Sequence, residues 1–308
     1  MAASSNQRCE LVSFRSTDKL RLPGLLYESR RPSGDAAIYL HGNGDASVFY
    51  SERTNALAAA LTRRGIAWLP FNNRGAHMLK RFTRVRDGED ESITIGMAHE
   101  RIADCVNDID GAAAFLRRRG FRRIFLVGHS TGANKICVYN AARPRNRFAG
   151  FILLAGGDDT GLYYDSLGRK GFERVLTRAR LAIEAGRGRE LVPASVTPFI
   201  ISWASLFDTM NPDGNYNVFP FLEVLRGLNL STAPLFRHLR SVRKPTLVVY
   251  GSEDEFCFDD VTGCVEVFQD AVRDRDNFDF RMIEGVNHSF DGKHPELGAM
   301  MADWIRKH

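Results

Sequence analysis

No run in the 308-residue sequence approaches the roughly 20 consecutive apolar residues a helix needs to cross a bilayer, so no membrane span is expected. The opening Met1 to Glu10 lacks the basic-then-apolar pattern of a secretory signal, and a cytoplasmic protein is the expectation. Cysteine is scarce. The five present (Cys9, Cys105, Cys137, Cys257 and Cys264) are odd in number and scattered, with no CxxC pair and no histidine at ligand spacing. This argues against a disulfide framework and against structural zinc, and no metal site is assigned. Charge of one sign is also lacking: 42 Lys and Arg face 37 Asp and Glu, with no basic run dense enough for a nucleic-acid footprint. Internal repeats and low-complexity segments are absent as well.

What is present is an alternation of apolar runs and amphipathic stretches. Arg8 to Ser16 and Leu20 to Arg30 suit an antiparallel hairpin at a sheet edge. Strands are then expected over Ala36 to Leu40, Ile66 to Phe71, Arg123 to Val127, Phe148 to Ala155, Pro245 to Tyr250 and Phe278 to Ile283. Helices are expected over Val48 to Arg64, Met97 to Arg119, Thr131 to Ala142, Asp260 to Val272 and His294 to His308, and a polar loop over Asn72 to Glu91. Continuous apolar strands alternating with helices imply an α/β fold, a mostly parallel sheet flanked by helices on both faces. One interval breaks the rhythm: 157–243 has helical patterning and no convincing strand. The expected organisation is a core of 1–156 and 244–308 with a helical lid, 157–243, inserted before the penultimate strand.

Gly128-His129-Ser130-Thr131-Gly132 follows an apolar strand directly and opens a helix. Small residues on both sides let the strand turn sharply and leave the serine exposed at the apex, the context of a nucleophile elbow. A serine hydroxyl needs a base to take its proton. Of eight histidines, His288 lies on the loop between the last strand and the final helix. The base in turn needs a carboxylate, and Asp254, in Gly251-Ser252-Glu253-Asp254-Glu255, follows a strand end. Asp158, Asp159, Glu253 and Glu255 are alternatives for that acid. An oxyanion requires preorganised donors: the N–H of Thr131, next to the nucleophile, and the N–H of Asn43, in the His41-Gly42-Asn43-Gly44 turn after a strand. That turn lacks the spacing and the lysine of a phosphate-binding loop.

Together HGNG, FNNRG (Phe71 to Gly75), GHSTG, YGSED and GVNHSF resemble, in order and across nearly the whole chain, the α/β-hydrolase superfamily. GHSTG with FNNRG is similar to a branch that includes fungal siderophore esterases. The resemblance implies a Ser130, Asp254, His288 triad, an acyl-enzyme mechanism without metal or organic cofactor, and a substrate chosen by the lid. HGN also occurs in haloalkane dehalogenases, but there the nucleophile is an aspartate, and Ser130 argues against that chemistry.

The expected activity is hydrolysis of a small-molecule carboxylic ester, with a lactone or siderophore-type ester among the candidates. Amide, thioester or carbon–carbon hydrolysis on the same triad, or ligand binding without turnover, are the alternatives. His41, Gly42, Trp203, Phe207 and Phe221 are candidate substrate contacts. The basic residues of the insertion, Arg169 to Arg189, make an anionic substrate the expectation.

Overall fold

The computed structural model describes residues 7–43 and 47–308. The chain opens with strands β1 (Gln7–Arg15) and β2 (Arg21–Ser29), paired antiparallel, then β3 (Asp35–Leu40), helix α1 (Glu52–Arg63) and β4 (Ala67–Pro70). There follow β5 (Lys80–Arg86), β6 (Glu89–Ile95), α2 (Cys105–Arg118), β7 (Arg123–His129), α3 (Thr131–Ala142) and β8 (Phe151–Leu154). The insertion contributes α4 (Asp159–Glu184), α5 (Trp203–Met210), α6 (Phe221–Arg226) and α7 (Arg237–Arg240). The chain then completes the sheet with β9 (Thr246–Gly251), α8 (Val261–Ala271), β10 (Phe278–Ile283) and α9 (His294–Lys307).

Eight strands form one sheet in the order β1-β2-β4-β3-β7-β8-β9-β10, antiparallel at β1, β2 and β4 and parallel thereafter. The central strands β3, β8 and β9 are buried at every position, which is why they read as unbroken apolar runs. Their carboxyl ends lie along one edge, where ligand sites of open parallel sheets form.

The structure corrects two expectations. The polar stretch after Asn72 holds a second, two-stranded sheet, β5 against β6, closed by Asp87 (φ 52°) and Gly88 (φ 88°). Its strands alternate charged with half-buried residues, and so carry no apolar run. The helix expected from Met97 begins at Cys105, after two short 3₁₀ turns at Met97–His99 and Ile102–Asp104.

The insertion is not one layer. Tyr164, Phe172, Val175, Ala179, Trp203, Leu206 and Met210 close a small apolar cluster of their own. Phe219, Phe221, Phe236 and Leu239, from the end of the same segment, join the main core. Among the described residues no helix is long and apolar enough to cross a membrane.

Candidate active site

The elbow places Ser130 between β7 and α3 with φ 56° and ψ −131°, a backbone conformation that costs a non-glycine residue about 1–3 kcal/mol. Its flanking glycines are sterically required. A Cβ on Gly128 would come within 2.2 Å of the Gly132 oxygen, and one on Gly132 within 2.1 Å of the Leu40 oxygen. The Ser130 N–H is held by the Leu154 carbonyl at 2.9 Å, so the strained turn is anchored to the neighbouring strand.

His288 and Asp254 meet. The His288 Nδ1 lies 2.9 and 3.0 Å from the two Asp254 oxygens, both residues being buried. An ionised carboxylate only accepts, so Nδ1 carries the proton and Nε2 is left with its lone pair. The Phe256 N–H donates to the same carboxylate at 3.0 Å. Glu255, one of the alternative acids, takes the His288 main-chain N–H instead, at 2.9 Å, and Glu253 is exposed.

The loop that carries His288 is held by a residue whose role no sequence signal announced. The His129 Nε2 lies 2.8 Å from the His288 carbonyl oxygen, and the two rings stand 4.8 Å apart. The Arg53 Nη1 also lies 3.2 Å from this nitrogen, but the shorter contact is to a carbonyl, which only accepts, and it places the hydrogen on Nε2. Burial, with the Arg53 guanidinium beside it, holds the His129 imidazole well below its ordinary pKa and therefore neutral. Arg53 itself donates to the Ser289 carbonyl at 3.4 Å and the Tyr39 hydroxyl at 3.2 Å.

Facing the serine is the turn after β3. A Cβ on Gly42 would fall 2.8 Å from the Ser130 Cβ and 3.2 Å from its Oγ, so this turn touches Ser130. Asn43 follows it, exposed; Gly44, the last residue of HGNG, lies outside the described residues. His41 is buried and braces the turn: the Asn73 N–H donates to its Nε2 at 3.2 Å, and Nδ1–H donates to the Gly42 carbonyl at 2.8 Å. Burial, aided by Lys135, holds its pKa down at about 3. Asn72 accepts the Val48 N–H at 2.9 Å, so FNNRG fastens both sides of the turn.

Thr131 is fully buried and its hydroxyl donates to Asp159 Oδ2 at 3.3 Å. Burial pushes the Asp159 carboxyl up to about 6, while Thr131, His288 and Lys135 pull it down. Asp158 faces away: its oxygens accept the Gly161 N–H at 2.7 Å and the Leu222 N–H at 2.9 Å, and burial pushes it up to about 7. The remaining candidate contacts lie in the insertion. Trp203 carries the Arg178 guanidinium 5.2 Å above its ring, Phe207 packs on the small cluster, and Phe221 stacks on Phe219 at 5.8 Å within the main core. Among the described residues no group of three His, Cys, Asp or Glu is placed to hold a metal.

The strand order, the elbow and the paired histidine and aspartate define an α/β-hydrolase of the serine type. The chain belongs to the serine aminopeptidase S33 family (Hydrolase_4), whose model matches residues 33–290. No curated protein sequence matches it. Among solved structures, a soluble variant of the Saccharomyces cerevisiae monoglyceride lipase, in complex with a substrate analogue, is similar at TM-score 0.61 and 14% identity, covering 100% of this chain and 98% of that one. A Pyrococcus furiosus esterase is similar at TM-score 0.58 and 13% identity, covering 97% and 91%. The esterase domain of a Rhodothermus marinus protein is similar at TM-score 0.55 and 18% identity, covering 97% and 98%. At these identities the likeness is one of fold.

Proposed function

We propose that the protein hydrolyses a small-molecule carboxylic ester through an acyl-enzyme, with Ser130 as nucleophile, His288 as general base and Asp254 as its orienting acid. The observation that carries this reading is the Nδ1 contact of His288 with both Asp254 oxygens, on loops adjoining a serine held at φ 56°. Ser130 Oγ attacks the carbonyl carbon as its proton passes to His288 Nε2. The oxyanion is met by the N–H groups of Thr131 and Asn43. Collapse expels the alcohol, protonated by His288, and a water activated by the same nitrogen releases the acid.

The similar solved structures, two esterases and a monoglyceride lipase, support the ester bond. A lactone or siderophore-type ester is the finer reading. The helices of 157–243 serve as the lid over this edge of the sheet, and the five unpaired thiols suit a reducing, cytoplasmic setting. The exposed arginines of α4 favour an anionic substrate on approach. A second reading, amide hydrolysis on the same triad, is favoured by the family description, a serine aminopeptidase. Matched ester and amide substrates separate the two.

The test is the intact mass of wild type and Ser130→Ala after exposure to a fluorophosphonate. One adduct on wild type and none on the variant is expected, with ester turnover in the variant down by about 10⁴-fold or more. Turnover by Ser130→Ala at the wild-type rate would falsify the assignment, and ligand binding by a wild type that takes no adduct would point to a protein that binds without turnover.

A further inference from the structure

Asp159 has no part in the triad, yet its carboxylate lies one side chain from the nucleophile. It opens α4, is partly exposed, and accepts the Thr131 hydroxyl on Oδ2. An ionised carboxylate has about four acceptor positions, of which the Thr131 hydroxyl and the residue's own main-chain N–H take two. Of the two basic groups that act on it, His288 and Lys135, the lysine is itself paired with Glu100 at 2.7 Å. Two phenols complete the surroundings: Tyr163, one turn along α4, and Tyr216, which also meets the Thr131 hydroxyl; burial first and the Asp159 charge after it raise the pKa of both. A partly desolvated carboxylate with spare acceptor positions is costly unless something donates to it.

The geometry points to Asp159 as a specificity-determining residue that accepts a hydrogen bond from a hydroxyl or ammonium group on the acyl carbon next to the scissile carbonyl. This rests on the proposed ester hydrolysis. In that reaction the leaving oxygen must face His288 to be protonated, while the carbonyl oxygen faces the Thr131 N–H. The acyl carbon is then the part of the substrate beside Thr131 and its partner Asp159. An apolar acyl carbon there leaves the carboxylate unanswered, and an anionic one is repelled by it, so the negative charge suggested by the basic exterior belongs elsewhere on the substrate.

The experiment compares three ethyl esters differing only at carbon 2, namely propionate, lactate and alaninate, with wild type, Asp159→Asn and Asp159→Leu. The readout is the ratio of kcat/KM values within each protein, which the fraction of folded enzyme does not change. Wild type is expected to favour the lactate or the alaninate ester over the propionate by about tenfold or more, the scale of a hydrogen bond to a charged group. Asp159→Leu flattens either preference. Asp159→Asn, which keeps an acceptor oxygen without the charge, retains a hydroxyl preference and loses an ammonium one. Flat ratios in wild type, or a preference that survives in Asp159→Leu, overturn the assignment. Fluorophosphonate labelling of Ser130, run in parallel, separates the two levels: labelled wild type with flat ratios sinks the acidic subsite alone, whereas an unlabelled wild type sinks the hydrolase and the subsite together.

Discussion

Asp254 and His288 are 34 positions apart in sequence and share no local pattern; each could be singled out because it follows a strand end, their order being what the superfamily resemblance implies, and the structure pairs the two side chains. His129 was not legible in the same way. Its place inside GHSTG says only that it precedes the serine, and its partner, the His288 carbonyl, belongs to a loop 159 residues away. The main-chain oxygen it satisfies is that of the proposed base, so His129→Leu leaves a buried acceptor unpaired on the loop that carries His288. The expected cost is about 1–3 kcal/mol of stability, together with slower fluorophosphonate capture by folded enzyme. Urea denaturation gives the first quantity and the labelling rate constant the second. Wild-type labelling kinetics in His129→Leu would remove it from the support of the base.

Among the elements, the central strands were legible because burial on both faces makes them apolar throughout, whereas the β5–β6 hairpin was hidden by its exposure. Arg81, Glu89, Asp90 and Ser92 face solvent, and the clearest local signal was the Asp87-Gly88 turn, whose positive φ angles suit a two-residue connection. The start of α4 was hidden differently. Gly168 breaks the helix with φ 63°, so the apolar period restarts after it and the sequence pattern alone predicts a helix only over Gly171 to Glu184. Asp158 caps this helix and also accepts the Leu222 N–H in the first turn of α6. Its folded pKa, about 7, lies above the unfolded value near 3.8, so between these values the folded chain keeps a proton that the unfolded chain has lost. Stability contributed at low pH is therefore lost as pH rises from about 4 to 7. Asp158→Asn lacks this titration. Relative to wild type, its unfolding free energy is expected to climb by up to a few kcal/mol across that window and to level off above it. Because asparagine offers one acceptor oxygen where aspartate uses two, the slope of the difference decides the matter. A flat difference in urea midpoints from pH 4 to 8 would show that Asp158 is ionised throughout.

At the scale of the whole molecule, the insertion is joined to the body unevenly. Its first half, through α4 and α5, packs on a cluster centred on Phe172, Ala179 and Leu206, while Phe219, Phe221 and Leu239 of its second half are built into the main core. A satellite core of that kind is expected to open with less free energy than the sheet, the behaviour that the lid role proposed for 157–243 calls for. The consequence is measurable by native-state hydrogen exchange. Amides of α4 and α5 are expected to exchange together, at a lower free energy than those of β3, β7 and β8. Two truncations then separate partial from global opening. Leu126→Ala, fully buried in β7, destabilises the closed and the partly opened forms alike. It should lower protection in the sheet by about 2–5 kcal/mol and leave the opening of α4 and α5 unchanged. Phe172→Ala weakens a contact present only while the satellite is closed, so it should lower protection in both. If Leu126→Ala lowers the protection of α4 and α5 as much as that of the sheet, the insertion unfolds only with the whole molecule, and access to Ser130 must come from smaller movements of the loops around it.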